Sequence, residues 1–147
     1  MAGNYRQGIY EVKNKEKYVG VKNPRYMSSW ELDFMRFLDD NPNIIKWGSE
    51  IVVVPYYSPV DERNRRYMVD IFMQYRNRHG DIKTELVEIK PFNQTQQPKQ
   101  TKGKKKKTYL KEVYTYNVNQ AKWNSASRYA KERGWTFRVI TEKDIYK

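Results

Sequence analysis

The chain contains no cysteine and one histidine, His79. The first absence excludes a disulfide framework and any thiolate metal site. The second excludes a histidine-rich zinc centre and a two-histidine proton relay. No apolar run approaches the roughly 18 residues that a membrane-spanning helix needs. The opening Met1-Ala2-Gly3-Asn4-Tyr5-Arg6 lacks the apolar core of a signal peptide. These absences predict a soluble intracellular protein with no membrane partner. Acid is scarce too: 17 Asp and Glu face 29 Lys and Arg, a formal net charge of +12, with a pI near 9.7. That excess calls for a polyanionic partner, most simply nucleic acid, although charge alone does not distinguish DNA from RNA or lipid.

Against these absences stand 147 residues, enough for one domain with a real core. Mean hydropathy is low, at −1.03, yet 13 Tyr, 5 Phe and 4 Trp supply bulky interior material. Residues 1–26 are polar, basic and aperiodic, and read as an extended N-terminal arm before a domain over 27–147. Ser28 as N-cap with Glu31 three residues later reads as a capping box, and Trp30, Phe34, Phe37 and Leu38 follow at helical spacing. Asp39-Asp40-Asn41-Pro42 ends that helix. Residues 44–54 read as one strand, with Gly48 as a bend point. A loop with Pro59 and three arginines covers 56–66, and a second strand 67–76. A tight connection around His79-Gly80 leads to a third strand over 83–90, which Pro91 closes.

Residues 92–111 hold no acid and almost nothing apolar, but they carry Lys99, Lys102, Lys104, Lys105, Lys106, Lys107 and Lys111. A loop this long is uncommon in a compact domain and is usually functional or disordered. Helix is predicted again over about 110–133, with Tyr116, Trp123 and Ala130 seven apart and Gly134 as C-cap. A strand at 135–140 and a short turn or helix from Thr141 complete an order of α-β-β-β-loop-α-β. The fold class expected is α/β, an αβββαβ core with a central mixed sheet flanked by helices.

The chemistry concentrates in two segments. Asp70 interrupts Val69-Asp70-Ile71-Phe72-Met73, and eighteen positions later Glu88 and Lys90 stand in Leu86-Val87-Glu88-Ile89-Lys90. Side chains alternate faces along a strand, so Glu88, Lys90 and Leu86 share one face. If the two strands form a hairpin, both carboxylates meet near one strand end. Two such carboxylates repel unless a cation lies between them. An oxygen donor set without Cys or a His pair suits Mg²⁺ or Mn²⁺. Such an ion would polarise a phosphodiester, and Lys90 would orient the attacking water and stabilise developing charge. The plain alternative is a cross-strand ion pair, since E-x-K is a common tripeptide.

Glu31 falls within the apolar face of the first helix, beside Leu38, and is a candidate third acid; the capping box alone would also explain it. Glu50 is a weaker candidate. Gln120 lies with Tyr116 and Trp123, either aimed at the catalytic edge or DNA, or simply a helix-flank glutamine. The lysine run reads as a phosphate clamp whose binding would depend on salt, with a solvated tail or a targeting signal as the alternatives.

These residues resemble the PD-(D/E)XK nuclease superfamily: Glu31 in an early helix, Asp70 in the second strand, Glu88-Ile89-Lys90 in the third, and the α-β ending. Val69 stands where the superfamily's name places a proline. Further segments are similar to the branch of head completion nucleases of T-even-type tailed phages. They include Asn23-Pro24-Arg25-Tyr26, Ser28-Ser29-Trp30-Glu31, Trp47-Gly48-Ser49-Glu50 and Arg66-Tyr67-Met68-Val69-Asp70. The chain also resembles the endonucleases that cut transposon 5′ ends. The resemblance implies a Mg²⁺- or Mn²⁺-dependent endonuclease acting on double-stranded DNA at a genome end or head vertex, in the host cytoplasm or in the virion head or neck. Asp70, Glu88 and Glu31 would be metal ligands, Lys90 the catalytic lysine, and portal or neck proteins possible partners. A head-closure protein that keeps the fold and binds DNA without cutting is the other implied reading.

Overall fold

A computed structural model describes residues 7–146. A four-stranded mixed sheet carries the site. Its strands are β3 (Ile44–Ser49), β6 (Ile71–Arg76), β7 (Ile82–Ile89) and β8 (Thr136–Ile140), in the order β3-β6-β7-β8. β6 pairs antiparallel with both β3 and β7, and β8 joins β7 in parallel. The parallel step requires a long crossover, which α2 (Lys106–Glu132) supplies.

Helix α1 (Ser29–Asp40) covers one face. Leu32, Phe34, Met35 and Leu38 pack there against Trp47, Ile71, Met73, Val87 and Ile89. On the other face Trp123, Ala126 and Ala130 of α2 pack against Leu86, Val54, Tyr56, Tyr67 and Val69. The predicted αβββαβ core is therefore present as three layers, with one helix on each side of the sheet. Along β7, Val87 and Ile89 face α1, whereas Leu86 and Glu88 face α2, as strand alternation requires. Ser28 caps α1 through its side chain, which accepts from the Glu31 backbone N–H at 3.2 Å. Among the described residues no helix is long and apolar enough to cross a membrane.

The middle of the chain departs from the sequence reading. The strand expected over 44–54 is two strands, β3 and β4 (Val53–Ser58), and the strand expected over 67–76 is also two, β5 (Arg63–Met68) and β6. The supposed loop at 56–66 is the body of a β4–β5 hairpin, registered from Val53↔Met68 to Ser58↔Arg63. Five of the six β5 side chains are exposed, so its arginine-rich sequence carries no alternating apolar signal. Gly48 does not break the first strand: it stays paired with Phe72, and it lies so close to the Val19 carbonyl oxygen that an added Cβ would sit 2.6 Å from it. Glu50 then adopts φ +55, a left-handed conformation that ends the pairing.

Residues 7–26 contribute β1 (Gly8–Ile9) and β2 (Arg25–Tyr26), paired antiparallel, and send Tyr10 and Val12 into the α1-side core. Residues 1–6 of the expected arm lie outside the described residues. Helix α2 starts at Lys106, four residues earlier than the pattern suggested, and a single 3₁₀ turn occupies Phe92–Thr95. Lys106, Lys107 and Lys111 are thus helical. The chain closes with α3 (Glu142–Ile145), capped reciprocally by Thr141 and Asp144.

Candidate active site

Asp70 sits at the bend between β5 and β6, where the chain leaves the hairpin and enters the sheet. The pairing Ile71↔Val87 sets it across from Glu88. Its Oδ2 accepts the Ile89 backbone N–H at 2.9 Å. Glu88 is 4% exposed, and its Oε1 is a buried oxygen without a hydrogen-bond partner among the described residues. Lys90, two residues on and on the same face, places Nζ 3.6 Å from Glu88 Oε2. Its backbone N–H donates to the Ile140 carbonyl at 3.0 Å, fixing it beside the end of β8.

Burial and the neighbouring Glu88 charge push the Asp70 carboxyl well above the usual carboxylate range, against the opposing Ile89 N–H. Burial likewise raises Glu31, in the first turn of α1, with the charges of Glu50 and Glu88 adding to it and Lys90 acting against it. Glu31 therefore lies within electrostatic reach of the pair. Glu50 is held close by its backbone N–H, which donates to the Asp70 carbonyl at 3.1 Å. Among the described residues no three His, Cys, Asp or Glu side chains are gathered as a ready-made metal cage. What the fold assembles is the pair Asp70 and Glu88.

A pair is enough for Mg²⁺, which keeps several waters and commonly takes one or two carboxylates plus a substrate phosphate. The observation that tests the fit is the state of the pair: one buried oxygen has no partner, and one carboxylate is destabilised as an anion. A divalent cation would correct both. Asp70 and Glu88 therefore fit the ion, with Glu31 on its flank.

Three residues here were not singled out as site residues in the sequence: Tyr67, Trp123 and Lys122. Tyr67 Oη and Trp123 Nε1 are both buried without a well-formed hydrogen bond, and the Tyr67 hydroxyl lies against both Glu88 and Trp123. Burial, reinforced by the Glu88 charge, raises the Tyr67 hydroxyl far above its ordinary value, so it stays protonated and can donate. Lys122 places Nζ 5.6 Å from the Tyr67 ring centroid and 5.9 Å from that of Tyr56, a cation–π setting. Burial and Lys90 lower its pKa, while Glu88 and Asp70 oppose the shift. Lys122 lies one residue before the apolar stripe of α2, a register that would have pointed to it.

Gln120 is half-buried on α2. The inward position next to it belongs to Asn119, at 4% exposure, four residues before Trp123 and seven before Ala126. Lys99, Lys102, Lys105, Lys106, Lys107 and Lys111 are exposed. Lys104 is partly covered, with Nζ 2.8 Å from Glu112 Oε1 and 2.7 Å from the Lys99 carbonyl. Lys105 to Lys107 crowd the N-terminus of α2, which has no acid in its first turn and no side-chain cap. Lysine there opposes the helix dipole and leaves free N–H groups, a combination that favours an anion.

The model of the TnsA-like endonuclease N-terminal family matches residues 41–142, a span that includes Asp70, Glu88, Lys90 and the basic segment. The chain is also 40% identical over 142 residues to the head completion nuclease of Enterobacteria phage T4, an alignment covering 94% of this chain and 92% of that protein. No solved structure matches.

Proposed function

The chain belongs to the TnsA-like endonuclease family, and from that premise we propose that it is a Mg²⁺- or Mn²⁺-dependent DNA endonuclease. We place its action in phage head completion, at the genome end or head vertex after packaging in the host cytoplasm, with portal or neck proteins nearby. The head completion role named for the phage T4 relative supports that setting. One observation carries the chemical reading. Asp70 and Glu88 are set across from each other with a buried oxygen unpaired, and Lys90 lies 3.6 Å from Glu88.

Asp70 and Glu88 would hold the ion, which when bound neutralises the scissile phosphate and favours hydrolysis. Lys90 presents its ammonium where negative charge develops on the phosphate oxygens. Water adds to phosphorus, the bond to one bridging sugar oxygen breaks, and the departing oxygen takes up a proton. Glu31, with its proton affinity raised by burial, is placed to hold or pass a proton beside that centre. The exposed lysines from Lys99 to Lys111 would neutralise phosphates along the duplex.

A supercoiled-plasmid assay tests the reading. With Mg²⁺ the wild-type protein should nick or linearise the plasmid, and Asp70→Ala and Lys90→Ala should not. If the protein leaves plasmid intact, and particles assembled with either variant are normal, a non-cutting head-closure role replaces the enzymatic one.

A further inference from the structure

A groove of about 590 Å³ runs between the segment from Asn93 to Lys104 and the N-terminal half of α2. Its lining is unusual for its side-chain amides: Asn93, Gln94, Gln96 and Gln97 from the segment and Asn119 from α2, with Tyr116 between. Asn119 is almost fully buried against it. Lys99 and Lys104 from the segment and Lys111 and Glu112 from α2 supply its charged lining. The segment is held in place although it has almost no apolar residue. Lys104 bridges Glu112 and the Lys99 carbonyl, and Gln100 Nε2 donates to the Lys104 carbonyl at 2.8 Å.

The location ties the groove to the reaction. Asn93 follows Lys90 by three residues. Asn119 and Trp123 are four apart on α2 and so share a face; Trp123 adjoins Tyr67, whose hydroxyl adjoins Glu88. A strand with its scissile phosphate at the acidic pair would thus have neighbouring nucleotides at the mouth of the groove. Size selects what enters. The volume falls in the range of small-ligand clefts, roughly 300–1,000 Å³. A duplex, whose major groove alone is about 12 Å wide, cannot enter, whereas one or two unpaired nucleotides can. Amides offer the paired donor and acceptor that match an exposed base edge, a tyrosine ring offers a stacking surface, and the lysines match phosphates.

We propose that this groove binds unpaired nucleotides flanking the scissile phosphate, so that the substrate is duplex DNA bearing a single-stranded end or gap. The inference rests on the endonuclease reading and adds the form of the DNA. The test is fluorescence anisotropy with the full chain in EDTA, using a 20-base-pair blunt duplex and the same duplex with a four-nucleotide single-stranded tail. The wild-type protein should bind the tailed probe about tenfold more tightly, the scale of one good base-edge or stacking contact. Asn119→Leu and Gln97→Ala should each bring that ratio towards one and leave blunt-duplex affinity within about twofold, as expected for contacts to bases rather than backbone. Gln97 is exposed, so its variant separates the groove's role from any folding defect of Asn119→Leu. Equal wild-type affinity for both probes, or variants that weaken both probes alike, would overturn the groove assignment and leave the endonuclease reading standing. Failure to bind either probe would remove both.

Discussion

Asp39, near the end of α1, and Asp70, at the mouth of β6, are carboxylates drawn into the protein, and their surroundings differ at every oxygen. Asp39 is wholly buried. It accepts the Tyr10 hydroxyl at 2.6 Å and the Lys13 N–H at 2.9 Å on one oxygen, and the Asn14 N–H at 3.1 Å on the other. Lys17 Nζ covers the carbonyls of Asp39 and Asn41 at the negative end of the helix. Burial alone would push the Asp39 carboxyl up, but these donors outweigh it and hold it below the usual range. Asp70 has the Ile89 N–H as its donor and a second carboxylate opposite, so its carboxyl goes the other way. A buried charge fully supplied with donors fastens the N-terminal segment to the domain. A buried charge left short of donors is a candidate for function rather than for stability.

Substitution at the two aspartates should separate activity from stability. Asp70→Asn should lower Mg²⁺-dependent plasmid cleavage by at least about 100-fold, the scale of losing a main electrostatic group. Its melting temperature should be equal to or above wild type, because a repulsion is removed. A large loss of stability would place Asp70 with Asp39 as a structural residue. Asp39→Ala strands the Tyr10 hydroxyl and two backbone N–H groups, and should cost about 3 kcal/mol in urea unfolding. Cleavage per folded molecule should be retained; a cleavage defect at full folding would break the comparison from the other side.

The pH dependence should have opposite signs at the two sites. The Asp39 carboxyl is lowered, so its contribution is present above the unfolded value of about 3.9 and lost as pH falls through the folded value below it. The Asp70 carboxyl is raised, so the folded protein binds that proton more tightly. Stability then declines as pH rises from about 3.9 through the higher folded value. Thermal melts across pH 3 to 8 should show this decline in wild type and not in Asp70→Asn. Mg²⁺ at 100 times its dissociation constant should restore about 2.7 kcal/mol at neutral pH, again only with Asp70 intact.

The smallest expected effect is at Tyr67. Tyr67→Phe removes a hydroxyl that lies against Glu88, and outer residues of this kind are worth roughly 10- to 100-fold in metal affinity or activity. We expect the lower end, about tenfold, as a raised Mg²⁺ requirement. Stability should hardly change, because the lost hydroxyl has no well-formed hydrogen bond to lose. A wild-type Mg²⁺ titration would show that Glu88 needs no such support.

Most of the core was legible because its helices and central strands advertise themselves by period. The apolar stripe of α1, the Ser28 cap and the alternation of Leu86-Val87-Glu88-Ile89 lead directly to a helix beside a strand with an acid on one face. The β4–β5 hairpin was hidden because β5 exposes its arginines, and a strand without a buried face has no alternation to read. Asp39 escaped notice because its partners, Tyr10, Lys13 and Asn14, lie 25 to 29 positions away in a stretch with no period of its own. Tyr67, Trp123 and Lys122 were missed as site residues for a different reason: the β5 and α2 patterns do not show that the two elements meet beside Glu88.

Residue type, order and strand period by themselves determined an α/β core and the placement of Asp70 near Glu88 and Lys90. Those properties are local, or follow from one hairpin. Only the tertiary structure decided which buried acid is satisfied and which is not. That depends on donors brought by distant segments: three of them reach Asp39, and among the described residues none meets Glu88 Oε1.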